Sequence, residues 1–162
     1  GIIIISVLIF LNKKNENFDS LLSEKFYEAS ILIDKKKNKE GTIILESIIE
    51  KGNKLYSPLS LFLIIEKKLI NDDQKILNLF DKVLAIKKIE KENLNLIKIK
   101  KAFFIMKLDN EIELISLLNP IINSESIWKK EAITILGDYF LSKNEEVKAN
   151  NYYKLLKIKK NN

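Results

Sequence analysis

The chain has 162 residues, 28 basic and 22 acidic, a formal charge of +6, and neither Cys nor His. The length suffices for a real hydrophobic core. Without Cys or His there are no disulfides, Cys/His zinc sites, Cys or His nucleophiles, or Ser-His-Asp triads. Every basic residue is Lys, and Ile and Asn are abundant; all three have codons made only of A and T, so base composition accounts for the bias. The excess charge alone would fit a nucleic-acid binder, but Arg, the usual bidentate reader of phosphate and guanine, is missing. With four glycines, Gly1, Gly41, Gly52 and Gly137, there is no glycine-rich phosphate loop. No cofactor, metal or enzymatic activity is expected.

The chain opens GIIIISVLIFLNKKNEN, apolar from Ile2 to Leu11 except Ser6. A membrane-spanning helix needs about 20 apolar residues, and the chain starts on Gly rather than Met. Residues 1–12 are therefore read as the C-terminal part of a transmembrane helix and 13–18 as a linker. The alternative is a buried segment of a soluble domain.

From Phe18 onward apolar residues recur at helical spacing, and Gly and Pro are scarce. In the first helix Leu22, Phe26, Ala29 and Ile33 share a face. The second gathers Ile44, Leu45, Ile48 and Ile49 and ends at Gly52, a C-cap residue. The third is expected to start with Ser57 as N-cap and Pro58 as the first helical residue. Asp72 or Asp73 caps the fourth. KENLNLIKIKKAFFIMKL and DNEIELISLLNPII follow, with Pro120 predicting a kink or an early end in the latter. The last two are ESIWKKEAITILGDYFLSK and NEEVKANNYYKLLK. Acidic pairs such as Asp72-Asp73 and Glu145-Glu146 sit at helix starts, where carboxylates complement the dipole.

Eight helices in four antiparallel pairs result, over residues 19–158, with 159–162 a solvated tail. Expected turns at Lys36-Lys37-Asn38, Asn71-Asp72, Asp109-Asn110 and Lys143-Asn144 lie about 34 to 38 residues apart. That period belongs to helical-hairpin solenoids, and 34 is the tetratricopeptide (TPR) length. The TPR pattern wants small residues where paired helices meet and an aromatic between neighbouring hairpins. Gly137, Phe140, Ala149, Tyr153 and Leu156 fit it in the fourth pair. Ala102, Ile105, Leu114, Leu118 and Ile121 do so in the third, and Ala29, Leu32, Gly41, Leu45 and Ile48 in the first. The second pair has Ile64, Ile76, Phe80 and Val83 but no small residues. The fold class is thus all-α, a TPR-like right-handed solenoid of about four helix pairs. A plain helical bundle is the alternative.

The stretch FDSLLSEKFYEASILIDKKKNKEGTIILESIIEKG, a second hairpin, then LLNPIINSESIWKKEAITILGDYFLSKNEEVKANNYYKLL resembles the TPR-like domain of the ancillary SecYEG translocon subunit family. Leu118-Asn119-Pro120-Ile121, then Trp128, Ala132 and Leu136-Gly137, carry the resemblance, which covers nearly the whole chain. It implies a single N-terminal membrane span and a repeat domain on the periplasmic side of the bacterial inner membrane. It also implies protein partners (translocon subunits, envelope chaperones or secreted clients), and no enzymatic activity. Lys13 and Lys14 depart from that topology, because basic residues favour the cytoplasmic flank.

Solenoid repeats bind partners on the face lined by their first helices. The register places Phe26, Leu61, Phe103, Met106 and Asp138 there as a peptide groove; the same apolar side chains would serve equally as core. Ala29, Gly41, Ala102, Gly137, Ala149, Tyr153 and Trp128 are expected to pack the repeats together. The expected function is that of a membrane-tethered scaffold or adaptor. The alternatives are a soluble TPR adaptor and a basic helical-repeat nucleic-acid binder.

Overall fold

The computed structural model describes the backbone of residues 2–157 and the side chains of residues 18–157. Every regular element among the described residues is a helix: α1 (Ile2–Asp34), α2 (Asn38–Glu50), α3 (Tyr56–Glu66), α4 (Asp73–Leu84), α5 (Lys91–Lys107), α6 (Glu111–Ile122), α7 (Lys129–Ser142) and α8 (Glu146–Lys157). They form two compact units, residues 1–88 with α1–α4 and residues 89–162 with α5–α8. The expected membrane span (1–12) and tail (159–162) lie outside the residues whose side chains are described. The expected linker (13–18) does too, apart from Phe18, and it falls within α1 rather than between elements.

In the first unit α1 packs on α2 and α3, and α2 on α3 and α4. In the second, α5 packs on α6 and α7, α6 on α7, and α7 on α8. Each unit is thus a pair of helical hairpins set side by side. The buried residues follow the helical period. Leu22, Ala29 and Ile33 are buried on α1, Leu45, Ile48 and Ile49 on α2, and Ile76, Phe80 and Val83 on α4. Ala102 and Ile105 on α5, Leu114, Leu118 and Ile121 on α6, and Ala132, Leu136 and Phe140 on α7 do the same in the second unit. Burying one such side chain stabilises the fold by roughly 1.5 to 3 kcal/mol.

All four hairpins reverse by one device. The first helix of each pair ends on a left-handed residue: Lys36 (φ 63), Lys68 (φ 50), Asp109 (φ 55) and Asn144 (φ 61). The amide after it reaches back to the carbonyl five residues earlier. These bonds are Lys37 to Leu32 (2.9 Å), Leu69 to Ile64 (3.0 Å), Asn110 to Ile105 (3.4 Å) and Glu145 to Phe140 (2.9 Å). Each left-handed residue closes the tighter inner bond, as in Lys36 to Ile33 at 2.9 Å. This is the Schellman motif, which satisfies carbonyls the helix end leaves open. The second reversal occurs at Lys68-Leu69, not at the expected Asn71-Asp72. Asp72 instead caps α4, accepting from the Lys75 amide at 3.0 Å, and Asn110 caps α6 through the Glu113 amide at 3.2 Å.

Two further expectations, both at the start of α3, are corrected; Pro58 is the third residue of that helix, not the first. Ser57 does not cap α3, which begins at Tyr56. The Asn53 side-chain oxygen accepts from the Leu55 and Tyr56 amides, both at 2.9 Å. Ser57 is fully buried, and its hydroxyl donates to the Ile48 carbonyl of α2 at 3.0 Å. Pro120 lies in the last turn of α6, which ends at Ile122, and its missing N–H forgoes the ladder bond to the Ser116 carbonyl. Gly52 at the end of α2 is left-handed (φ 62), as a C-cap glycine should be.

Candidate protein-interaction surface

The five residues read as a groove divide between the units and differ in exposure. In the first unit, Phe26 of α1 is half-buried with its ring 6.1 Å from that of Tyr56. Leu61 of α3 has no exposed surface and belongs to the core, which corrects its assignment to a groove. Its helix, YSPLSLFLIIE, is apolar on nearly every side, but the face it buries is Ser57, Ser60, Leu61 and Ile64, with Leu59 exposed. In the second unit, Phe103 of α5 is 48% exposed, and Met106 one turn later is half-buried. Asp138 of α7 is exposed and accepts a 2.6 Å bond from the Tyr153 hydroxyl of α8. Phe103 is therefore the one large apolar member of the set that a partner can reach readily.

The residues assigned to packing sit where helices meet closely. Ala29, Ala102 and Ala149 are buried. A Cβ on Gly41 would lie 2.7 Å from Ile33 Cγ1 and 3.0 Å from the Ala29 carbonyl oxygen, so α2 crosses α1 at the distance only glycine permits. A Cβ on Gly137 would lie 2.3 Å from the Tyr153 ring. That ring lies over the backbone of α7, while its hydroxyl reaches Asp138 on the same helix. Beside it the Phe140 and Tyr152 rings stack at 5.6 Å and 6°. Leu156, placed in the same packing pattern, is 37% exposed.

Trp128 stands at the start of α7, in a polar clasp. Its indole N–H donates to the Glu92 carbonyl of α5 at 3.0 Å. The Glu92 carboxylate accepts from the Ser126 hydroxyl (2.7 Å) and the Ile127 amide (3.2 Å). The Ser126 oxygen in turn accepts from the Asn95 side-chain amide (3.0 Å) and the Trp128 amide (3.1 Å). The beginning of α5 thereby fastens the loop leading into α7. The first unit has a simpler counterpart, in which the Asn53 side chain donates to Asp19 on α1 at 2.7 Å. Asp19 and Asn53 are 34 residues apart, and so are Glu92 and Ser126. In both cases a carboxylate on one first helix holds the approach to the next. That shared spacing of polar pairs was the one sequence signal that could have located the clasp.

Electrostatics tie the hairpin ends of the second unit. Asp109, at the α5–α6 turn, accepts from the Tyr139 hydroxyl at 2.7 Å and pairs with Lys143. The Lys143 hydrogen bond, then the Tyr139 bond, hold the Asp109 carboxyl below the ordinary aspartate value. Burial first, and the bond to Asp109 next, push the Tyr139 phenol up to about 12. Lys148 of α8 bridges Glu145 (2.6 Å) and Glu111 of α6 (3.3 Å), and these two bonds raise its ammonium. Lys101, 6% exposed on α5, is neutralised by Glu113 at 2.9 Å; a buried ammonium needs such a partner. In the first unit Lys75 and Lys82 of α4 pair with Glu46 and Glu50 of α2.

No family model, curated protein or solved structure matches the chain. Among the described residues no group of three or more acidic side chains is placed to hold a metal ion. A polar notch of about 230 Å³ lies between the two turns of the first unit, lined by Ile33, Asp34, Lys36, Asn38, Lys67 and Leu69. Its charges are of both signs. What the side chains offer is packed helical hairpins with polar ties at both ends, and apolar residues left exposed between the ties.

Proposed function

We propose that this chain is a protein–protein interaction domain, a TPR-like right-handed solenoid tethered to the inner membrane and working beside the Sec translocon and its envelope chaperones. The observation that carries the reading is the repeated build of the hairpins. Four Schellman reversals, close helix crossings at Gly41 and Gly137, and two carboxylate clasps that each join residues 34 apart are its elements. Repeats of this kind characteristically present a surface for a partner. Phe103 with Met106 offers an apolar anchor for an extended or helical segment.

The tether rests on the apolar run 2–11. The side chains of that run lie outside the described ones, and among the described residues no helix is long and apolar enough to cross a membrane. The periplasmic placement and the translocon partners rest on the resemblance in sequence pattern. Photo-crosslinking from position 103 in intact membranes, with identification of the captured proteins, tests the proposal. Recovery of translocon subunits or envelope chaperones is the expected result, and recovery of neither refutes it.

A further inference from the structure

The second position of the second helix is exposed in every hairpin. It is Lys39 in α2, Gln74 in α4, Ile112 in α6 and Val147 in α8. The hairpin itself does not require an apolar residue there, since the first unit carries a lysine and a glutamine. Yet Ile112 is 84% exposed and Val147 77%, the two most exposed large apolar residues among those described. Single exposed aliphatics are ordinary on protein surfaces. These two differ because they come as a pair. Their sequence neighbours Glu111 and Lys148 meet at 3.3 Å, which sets the start of α6 beside the start of α8.

We infer that the starts of α6 and α8 form a self-complementary patch on which a second copy of this chain docks about a two-fold axis. Glu111 stands next to Ile112, and Lys148 next to Val147. A two-fold axis between the helix starts lays Ile112 against Val147 of the other copy. The same rotation sets Glu111 against the other copy's Lys148. In such an isologous contact each residue's partner is fixed by the symmetry, and both the apolar and the charged pairs satisfy it. The rim carries both signs, with Lys143 on Asp109 and Lys148 on Glu145 and Glu111. It therefore has little net attraction for a polyanion or an anionic lipid surface, whereas a second copy presents the same balanced rim. A stable interface covers about 800 Å² on each partner. Two aliphatic side chains fill only the middle of such an area, so the dimer is weak and depends on concentration.

The absence of native cysteine makes the contact directly readable. Full-length chains carrying Ile112→Cys or Val147→Cys are mixed and mildly oxidised. The expected product is the 112–147 heterodimer in excess over either homodimer. The chain with both Ile112→Lys and Val147→Lys keeps its helical circular dichroism, because both sites are solvent-exposed. In light scattering its self-association falls about tenfold or more, since docking would bury unpaired ammonium groups. A chain that stays monomeric up to millimolar concentration overturns the inference. So does a crosslink without heterodimer preference, or a double-lysine chain that associates as before. Association through the apolar run 2–11 would survive the lysines and so counts among the overturning outcomes. Capture of protein partners through Phe103 does not enter any of these readouts, so the interaction-domain reading fails or holds separately.

Discussion

Replacing Gly137 with alanine lowers the stability of the second unit by about 1 kcal/mol, although alanine is the better helix former. Helix propensity alone favours Ala over Gly by roughly 1 kcal/mol. Against it stands the Tyr153 ring, whose Cε1, Cζ and Cδ1 atoms lie 2.3, 2.7 and 2.8 Å from the position of the new methyl. The ring must leave. A half-buried tyrosine gives up roughly 1 to 1.5 kcal/mol of apolar burial when it does. The hydroxyl bond to Asp138 adds roughly 0.5 to 1 kcal/mol, so the losses exceed the gain. Trp128 is the sole tryptophan and lies in the second unit, so its fluorescence in a urea titration follows that unit. With a slope of about 1 kcal/mol per molar urea for so small a unit, the midpoint drops by about 1 M. In a Tyr153→Ala background the obstacle is gone, and Gly137→Ala stabilises by about 1 kcal/mol. The reversal of sign is the diagnostic. An equal gain in both backgrounds would show that Tyr153 does not sit on Gly137.

Gly41→Ala is costlier, about 2 to 3 kcal/mol, because the new methyl meets the Ala29 carbonyl, a backbone atom that no rotamer change can move. Amide exchange of α1 and α2 measures it. Lys68→Gly raises stability by up to about 1 kcal/mol, since Lys68 is left-handed at φ 50 and glycine adopts that conformation without a steric penalty; thermal unfolding reads the gain. Leu61→Ala costs about 2 to 5 kcal/mol as a fully buried leucine. Phe103→Ala, at a site 48% exposed, costs clearly less, and comparing the two in urea separates core from surface. The Tyr139 phenol, pushed up to about 12, holds its proton more tightly folded than unfolded. Its contribution is complete below pH 10 and is lost as pH rises from 10 through 12. Tyr152 and Tyr153 are raised too, by burial and by the Asp138 bond respectively, so ultraviolet titration should show late tyrosinate formation whose amplitude Tyr139→Phe reduces without abolishing it.

The helices and most of the core were legible because a helix that buries one face writes that face into the sequence every three or four residues. Leu22, Ala29 and Ile33 share a face by that rule, and all are buried. The rule is silent where a helix has no polar face. In α3, Leu59 and Leu61 to Ile65 are all apolar, so nothing in the pattern says which way Leu61 points, and it was placed on the surface. Local turn chemistry misled in a related way. Ser57-Pro58 has the composition of a helix start, but capping depends on where the hydroxyl is. Packing of α3 on α2 takes that hydroxyl to Ile48 and leaves the cap to Asn53. Asn71 and Asp72 look like the turn, yet the reversal falls at Lys68, where the Ile64 and Ile65 carbonyls have to be closed.

Polar contacts between distant elements leave no periodic trace, so the sequence pattern does not mark Glu92, Asn95 and Ser126. They join residues 31 to 36 apart through single bonds, a distance that only a second, register-matched pair makes meaningful. Asp19 and Asn53 supply that pair. The same comparison between hairpins serves for the surface. Taken alone, Ile112 is an exposed isoleucine of no particular interest. Set beside Lys39 and Gln74 at the matching position, it is a departure from what the hairpin needs, and Val147 repeats the departure 35 residues later. Hairpins built alike act as controls for one another. A residue that breaks their common pattern without a packing reason points to a demand from outside the fold.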